Sequence, residues 1–438
     1  MAILSRSSAF SRVTALAEQR SLHEAFRWLH LHGQQMMRWQ TELVAIPAPP
    51  FGEEQRSLWI AEQFRRAGLV EVHADSIGNV SGIIGATPRD LSNSGPDDAA
   101  EPVVLLSAHL DTVFPIGTPI DPIVKDDRLE APGACDNAAG VIGMLAIAHA
   151  LRESKMPLGA TLVFVGNVGE EGEGDLRGVR HLYRHSPYAS RVAAHIVLDG
   201  AGAETAVTQA LGSRRYHVTI SGPGGHSFTN AGTPNPILVL ASALTKLGDA
   251  PLNSSQDEPR VTLNVGTIQG GTSVNTIPEN ATASVEFRST DQRPLVRLEV
   301  ALHRAVEDAV EAANAEASTR SGARSGRRDA AHHSSSLRYT IEKIGDRPSA
   351  DLPRDSPLME AIKAVDRHLG LRTDLRLGST DANIPLSLGI PAVSLGAGGD
   401  GGGAHTRAEW YSAANRELGL RRVLLLTLAM LDWAGKQT

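Results

Sequence analysis

Four apolar runs of strand length recur along the chain and alternate with segments of helical spacing. They are VVLLSAHLD, TLVFVGNV, HIVLD and IPAVSLG, and the clearest helical segment follows Asp136. Strands that are buried on both faces form continuous apolar runs, and parallel neighbours are joined through helices. The sequence therefore predicts an α/β domain with a mostly parallel mixed sheet and helices on both faces.

This alternation is interrupted between about Leu211 and Gly345. Here the predicted order is strand, helix, strand, strand, helix, strand, carried by YHVTISG, PILVLASALTKL, VTLNVGTI, ATASVEFRS, VRLEVALHRAVEDAVEAA and LRYTIEKI. A βαββαβ order is typical of a ferredoxin-like unit. We therefore expect residues 1–210 and 347–438 to form the two parts of the α/β domain. Residues 211–346 are expected to form an inserted ferredoxin-like βαββαβ domain.

Local patterns predict a few further elements. Apolar residues recur at helical spacing from Ser21 to Leu43, before a run of prolines, which predicts one helix there. A second helix is expected around Gln55 to Ala67, and the polar stretch from Asp90 to Glu101 is typical of a surface loop. Residues 318–336 are basic and rich in serine. We interpret this segment as a solvated loop in preference to an anion-binding tail.

Composition excludes several classes of function. The 438 residues suffice for about two or three domains, and the net charge of −7 provides no positive field for nucleic acid or an anionic membrane. Apolar stretches end well before the ~20 residues that span a membrane, and the first residues lack the apolar core of a signal peptide. The single cysteine, Cys135, excludes an internal disulfide. We expect a cytoplasmic protein with small or peptide-like partners.

His109 and Asp111 lie at the end of the first apolar run. Positions i and i+2 of an extended strand face the same way, so Asp111 can brace the imidazole. A histidine that binds a metal usually donates its other ring N–H to such a partner. Taken alone, His109 is equally well explained as a core histidine with satisfied hydrogen bonds.

Five more candidate residues follow strands or glycine-rich turns. Asp136 precedes the helical pattern from Ala138, where it can cap the helix, reach into a crevice, or do both. The adjacent carboxylates Glu170 and Glu171 follow the run TLVFVGNV, and Asp199 ends the run HIVLD. The run IPAVSLG leads through a series of glycines to His405.

Their shared position predicts one site, because ligands in open α/β sheets bind beyond the carboxyl ends of the strands. Two histidines and three carboxylates suit two divalent ions, with Asp136 as the bridge; zinc is the first choice, and cobalt or manganese are alternatives. A water held between two cations loses its proton easily. One carboxylate is left to accept that proton and pass it to a leaving amine. We assign this role to Glu170 and a ligand role to Glu171.

The sequence resembles the family of co-catalytic di-metal exopeptidases and deacylases that includes peptidase T, acetylornithine deacetylase, succinyl-diaminopimelate desuccinylase and the aminoacylases. The matching segments are SAHLDTV, GACDNAAG, GEEGEG, VLDG, GPGGHS, GGTSVNTIPENA, VEFRS and GAHTRAEW. They occur in family order from about Leu43 to Trp433. The resemblance implies a catalytic α/β domain with an inserted lid or dimerisation domain.

The resemblance also implies a ligand set. His109, Asp136 and Asp199 would hold one metal ion. Asp136, Glu171 and His405 would hold the other. Cys135 precedes the bridging carboxylate, and we interpret it as a small space-filling residue, not a nucleophile.

Roles for five other residues follow from the same resemblance. Asp111 would orient the first histidine, and Glu170 would be the general acid and base. His226 would stabilise the oxyanion, reaching the site of the partner subunit in a homodimer built through the inserted domain. Asn275 and Arg288 would bind the carbonyl and carboxylate of the substrate.

Substrate class and competing functions stay open at this point. The segment GNVGEEGEGDLRGVRHL looks closest to peptidase T-like members, which favours short peptides over N-acyl amino acids. GAGGDG fits a dinucleotide motif, but no helical run follows it. Ser394, Asp400 and His405 occur in the order of a serine hydrolase, but Ala392 replaces the first glycine of the elbow. A metal-binding assembly protein without activity is the alternative from a different class.

Overall fold

A computed structural model describes residues 8–84, 101–250, 252, 259–324 and 336–437. Its helices are α1 (Ala9–Ala17), α2 (Arg20–Leu31), α3 (Gly33–Val44), α4 (Glu54–Arg66), α5 (Ala138–Ser154), α6 (Arg177–His185), α7 (Pro236–Gly248), α8 (Gln292–Arg324), α9 (Pro357–Leu369), α10 (Asn383–Ser387) and α11 (Arg416–Ala434). Short 3-10 turns span Gly172–Gly174 and Ala189–Arg191.

The strands come from both halves of the chain and from the insertion between them. They are β1 (Val70–Ala74), β2 (Val80–Ile84), β3 (Val103–His109), β4 (Ile123–Lys125), β5 (Arg128–Glu130), β6 (Thr161–Asn167), β7 (Val192–Leu198), β8 (Thr205–Ala210), β9 (Gly212–Ser221), β10 (Gly225–His226), β11 (Val261–Gly270), β12 (Thr276–Ile277), β13 (Asn280–Ser289), β14 (Arg338–Arg347), β15 (Ala350–Asp351), β16 (Asp374–Gly378), β17 (Ala392–Leu395), β18 (Asp400–Gly402) and β19 (Trp410–Ser412).

The chain divides into two compact units. One unit comprises Met1–Ala210 and Asp351–Thr438, and the other comprises Leu211–Ala350. The predicted boundary at residue 346 falls inside β14, so the second unit extends past it.

The first unit is built on a nine-stranded sheet. Its order is β1-β2-β6-β3-β7-β17-β8-β15, and β16 also pairs with β8. β6, β3, β7 and β17 are parallel neighbours, and they are the four apolar runs of the sequence. Every residue of β3 and β6 is buried, as expected for strands covered on both faces. The predicted fold class, α/β with a mostly parallel mixed sheet, is confirmed.

Helices cover this sheet through complementary apolar side chains. On one face, Val103, Leu105 and Val163 pack with Leu182 of α6. α5 and α11 also contact β3 and β7. α5 is apolar on nearly all sides, so most of its residues are buried. A helix of this composition belongs in the interior of a domain, where it fixes the loop that precedes it.

The single helix predicted from Ser21 to Leu43 is wrong, because the structure has α2 and α3 with a break at His32. The His32 ring bonds the carbonyl of Trp28 through Nδ1 and stacks on the Trp28 ring with centroids 4.1 Å apart. This local contact satisfies the end of α2, and apolar spacing alone does not reveal it. The helix predicted around Gln55 to Ala67 is confirmed as α4.

The second unit contains a four-stranded antiparallel sheet in the order β11-β13-β9-β14. With α7 and α8 the chain order is βαββαβ, as the sequence predicts, and β10 and β12 form a separate two-stranded ribbon. Both helices pack on the face that carries Tyr216, Val218, Val285 and Phe287. Side chains that alternate with these residues lie on the other face.

The two predicted loops have different outcomes. The loop predicted for residues 318–336 starts too early, because α8 continues to Arg324 after the alanine- and glutamate-rich residues 311–317, which favour helix. Residues 325–335 lie outside the described residues, as does the predicted loop from Asp90 onward except for Glu101. Within the described ranges, no helix is both long and apolar enough to cross a membrane.

Candidate metal centre

The site lies where the parallel strands of the first unit end. β3 ends at His109, and its two parallel neighbours end just before the Glu170–Glu171 pair and just before Asp199. Parallel strands present their carboxyl ends at one edge of the sheet, so the register brings these side chains together. The loop before α5 and the segment after β18 add Asp136 and His405.

Two groups of ligand-type atoms share Asp136. His109 Nε2 lies 3.2 Å from Asp136 Oδ1 and 3.7 Å from Asp199 Oδ1. His405 Nε2 lies 3.1 Å from Asp136 Oδ2 and 2.9 Å from Glu171 Oε1. In each group the ligand-type atoms lie within 4.8 Å of one another. The Asp136 carboxylate thus faces one histidine with each oxygen.

A third group overlaps the first two. It contains His109, Glu170 and Glu171, again with one atom of each within 4.8 Å of the others. Glu170 therefore lies beside the centre, and the geometry alone does not separate a ligand from a base among the two glutamates. The close approach of Glu171 to His405 associates Glu171 with the second group.

The electrostatics of the cluster favour positive charge. Burial lowers the pKa of His109, but the neighbouring carboxylates of Asp111, Asp136 and Asp199 raise it well above its usual range. Hydrogen bonds to Asp136 and Glu171 raise the pKa of His405 to about 10. Burial opposes ionisation of Asp136, but the two imidazoles hold its pKa well below the usual range. A field that stabilises imidazolium also stabilises a divalent cation.

The residues present fit two divalent ions. Two imidazoles and three carboxylates provide nitrogen and oxygen donors in two groups with one shared member. Asp136 Oδ1 is buried and has no hydrogen-bond partner among the described residues. A buried carboxylate oxygen without a donor costs free energy unless another group binds it, and a cation between Asp136 and His109 would do so.

Asp111 holds the glutamate loop more directly than it holds His109. Its carboxylate accepts the backbone N–H of Glu170 at 3.0 Å and of Glu171 at 2.8 Å. His109 Nδ1 lies 3.1 Å from the Asp111 carbonyl oxygen and 3.6 Å from the carboxylate. Burial raises the pKa of Asp111, but His109 and the two N–H donors produce a net decrease. One side chain thereby joins two ligand-bearing loops.

The helix cap predicted for Asp136 is wrong, because Asn137 caps α5. The Asn137 side chain accepts the N–H of Gly140 at 3.1 Å, and α5 begins at Ala138. It also accepts the N–H of Gly200 and donates to the carbonyl of Leu198. The capping position falls one residue later than expected, which leaves the Asp136 carboxylate directed at the histidines.

The glycine-rich approach to His405 has a packing explanation. Gly398 has a φ of +77°, and a side chain there would collide with the backbone of Arg416. A side chain at Gly401 would collide with Cys135, whose thiol is buried and has its pKa raised to about 12. The sulfur therefore stays protonated and fills space beneath this segment.

The local structure also argues against the competing motifs. Ser394 is buried within β17, not exposed on a turn. Gly401 lies in strand β18, whereas a dinucleotide motif requires a helix at its third glycine.

The remaining predicted residues belong to the second unit. His226 pairs with Thr276 in the β10–β12 ribbon, and the N–H of Ser227 donates to the carbonyl of Asn275. His226 and Asn275 are therefore neighbours. Arg288 lies apart from them on β13, where its Nε donates to Glu286 at 2.8 Å and its Nη2 at 3.0 Å.

Two buried residues near the centre were not predicted. Arg56 of α4 donates to the carbonyls of Ile46 and Leu110, and burial lowers its pKa to about 10. Asp381 accepts a hydrogen bond from Asn167 at 2.7 Å, and burial raises its pKa to about 7. Arg56 lies within a helix, and Asp381 follows β16, which is not one of the four apolar runs of the sequence. Periodicity therefore gives no signal for either residue.

Comparison with known proteins identifies the family. Residues 105–429 match peptidase family M20/M25/M40, and this range contains all five predicted metal ligands. The chain belongs to this family. The resemblance inferred from the sequence motifs is therefore confirmed, and the expected enzyme class, a metallopeptidase or amidohydrolase, agrees with M20 membership.

Relatives and solved structures extend the comparison. A probable carboxypeptidase of Aspergillus clavatus is 28% identical over 298 residues, which is 62% of this chain and 62% of the relative. The chain spans 44% to 62% of the length of the first curated relatives that it matches.

Two solved structures share the fold. Aminopeptidase PepT from Bacillus cereus is 20% identical with a TM-score of 0.66, covering 91% of this chain and 98% of its own. A dinuclear metal-binding M20 peptidase from Bacillus subtilis is 15% identical with a TM-score of 0.60, covering 92% and 99%.

Proposed function

We propose that this M20 protein is a metal-dependent exopeptidase, peptidase T-like in preferring short peptides. One observation carries the proposal: the Asp136 carboxylate lies between two histidines, each of which has a further carboxylate of its own. This arrangement matches a bridge between two divalent ions, with zinc as the first choice and cobalt or manganese as alternatives. The first ion would be held by His109, Asp136 and Asp199. The second would be held by Asp136, Glu171 and His405.

The protein side chains transfer the proton and hold the base in place. When bound, the two cations supply an acidic water and polarise the substrate carbonyl. Glu170 accepts a proton from the attacking water and delivers it to the leaving amine. The bond from the Glu170 N–H to Asp111 fixes the start of this side chain, and burial shields the carboxylate from bulk water. A shielded, fixed base transfers a proton with little reorganisation.

His226 is proposed to stabilise the oxyanion. Its Nδ1 accepts the backbone N–H groups of Phe228 and Thr229, so the neutral ring carries its proton on Nε2. That N–H is then available as a donor. The loops that flank the β10–β12 ribbon expose two large apolar side chains, with Phe228 87% and Val274 102% exposed. Exposed apolar side chains grouped in this way are typical of a surface that contacts another molecule.

We propose that this other molecule is a second copy of the chain. β11 is an edge strand of the described four-stranded sheet, and most of its residues are exposed. Edge strands offer backbone groups for pairing with another strand. We propose that the homodimer forms through β11 and that each His226 acts at the active site of the partner, the trans role that the family resemblance implies.

Mixed dimers test this trans arrangement. Glu170→Ala and His226→Ala chains, each inactive alone, are expected to regain hydrolysis when subunits are exchanged. In a mixed dimer, one site combines the intact Glu170 of one chain with the intact His226 of the other. Activity is measured on purified mixed dimers carrying two different affinity tags. Inactive mixed dimers would contradict a contribution in trans.

Arg288 and Asn275 are proposed to bind the substrate carboxylate and carbonyl. The guanidinium of Arg288 already pairs with Glu286, so a substrate carboxylate would share it or replace that partner. Arg288→Lys removes the bidentate geometry. The KM of a peptide with a free carboxyl end is expected to rise about tenfold or more, with its amide unaffected.

The matched control for this prediction is Arg215→Lys. Arg215 also pairs with Glu286, at 3.0 Å, but has no predicted contact with substrate. The control should leave the KM of both peptide forms near the wild-type value. Equal effects of Arg288→Lys on acid and amide would count against carboxylate recognition.

A substrate screen tests the proposed function as a whole. After metal analysis, the protein is assayed with dipeptides and tripeptides, each also with a blocked amino end or an amidated carboxyl end. N-acetyl and N-succinyl amino acids form the parallel set. Faster cleavage of the N-acyl amino acids would replace the peptidase with a deacylase. A metal-replete protein that cleaves none of them would indicate a binding or assembly protein.

A further inference from the structure

Glu409 lies four residues after His405 and reaches across to the loop that carries Asp136. One carboxylate oxygen, Oε1, accepts the N–H of Cys135 at 2.8 Å and of Asp136 at 2.7 Å. The other, Oε2, accepts the N–H of Gly133 at 2.9 Å. Three donors from one loop therefore converge on a single side chain that is 1% exposed.

The backbone continues the same connection. The N–H of Ala131 donates to the carbonyl of Glu409 at 3.1 Å, and Trp410 pairs with Glu130 in the antiparallel β5–β19 ladder. The segment that bears His405 is thus attached to the segment that bears Asp136 by main chain and side chain together. The carboxylate of Glu409 makes the bond nearest the candidate ligands, because it accepts the N–H of Asp136 itself.

A buried carboxylate needs compensation for its lost hydration. The three N–H groups provide part of it. Arg56, which is also buried, is close enough to interact electrostatically with both Glu409 and Asp111. Glu409 belongs to none of the three ligand-type groups, and its bonds to three backbone N–H groups indicate a role in holding backbone positions.

The other ligand loops are joined in a comparable way. Asp111 joins the His109 end of β3 to Glu170 and Glu171, and Asn137 joins the Asp136 loop to the strand end before Asp199. Glu409 supplies the connection that these two do not, between Asp136 and His405. Hydrogen-bonded partners of metal ligands typically tune metal affinity 10- to 100-fold.

We propose that Glu409 is a positioning residue that fixes the shared carboxylate Asp136 against His405. The inference rests on the proposed function, because it assumes that these residues bind the second cation. The sequence pattern does not indicate this role for Glu409, although the residue lies in the family-like segment GAHTRAEW, because its partners are far away along the chain.

Metal titration of Glu409→Gln tests the role without relying on turnover. Glutamine keeps the shape but places an amide N–H₂ against at least one backbone N–H, so the loop loses an acceptor. Calorimetric titration of the metal-free protein with Zn²⁺ should show the affinity of one of the two binding events reduced about tenfold or more. Glu409→Ala, which removes all three bonds, should reduce it further. A change smaller than about tenfold in both variants would overturn the proposal.

Asp366→Asn is the matched control. Asp366 is another buried carboxylate of the same unit, paired with Arg422 and Thr373 and absent from the ligand-type clusters. It should lower the midpoint of thermal unfolding but leave both zinc affinities unchanged. Equal losses of zinc affinity in this control and in Glu409→Gln would contradict the positioning role and would indicate that Glu409 only stabilises the fold.

The wild-type titration separates the two levels of inference. A wild-type protein that binds no Zn²⁺ contradicts the proposed function itself. A wild-type protein that binds two ions, with Glu409→Gln and Glu409→Ala equally competent, contradicts only the role of Glu409.

Discussion

Removal of divalent ions is expected to abolish peptide hydrolysis, and restoring them is expected to recover it. Under the proposed function, the attacking water depends on the cations for its acidity. His109→Gln should lower both the metal content and the rate, because it removes the nitrogen of the first group. Metal content is measured by elemental analysis of the protein and rate by peptide hydrolysis on the same samples.

His149→Gln is the control for the histidine substitution. His149 lies on α5 and stacks on Trp28 and Trp39, outside the three ligand-type groups. It should keep wild-type metal content. Full activity of metal-free protein would contradict the proposed chemistry and would revive a mechanism based on a side-chain nucleophile.

The sequence predicts the main elements of the site because strand ends are local features. Each apolar run ends near a histidine, a carboxylate or a glycine turn, and the parallel order of the sheet brings these ends together. His109, Glu171 and Asp199 therefore come close to one another from pattern alone. Only the family resemblance indicated which histidine and which carboxylate share each ion.

The parts that pattern did not predict depend on contacts between distant segments. Glu409 reaches Gly133 and Cys135 across more than 270 positions, and Arg56 reaches the carbonyl of Leu110. Hydrophobic periodicity contains no information about such side chain-to-backbone bonds. The prediction of one continuous helix through His32 failed for a similar reason, since the break depends on one ring and one carbonyl.

Glu170→Ala is expected to lower turnover by roughly 10²- to 10⁴-fold while metal content stays near wild type. The expectation follows from assigning Glu170 as the proton carrier and Glu171 as the ligand. Glu171 Oε1 is 2.9 Å from His405 Nε2, so its loss removes a donor from the second group. Glu171→Ala should therefore lose metal as well as activity.

Isosteric variants sharpen the comparison between the two glutamates. Glu170→Gln keeps the size of the side chain and its main-chain bond to Asp111 but cannot accept a proton, so it should be nearly as slow as Glu170→Ala. Glu170 and Glu171 lie on one short loop, and the N–H groups of both donate to Asp111. A difference in metal content between their variants therefore results from the different roles of the two side chains. Metal loss in Glu170→Gln with retention in Glu171→Gln would show that the two roles are exchanged. Retention of both metal and turnover in Glu170→Gln would remove the general base from the mechanism.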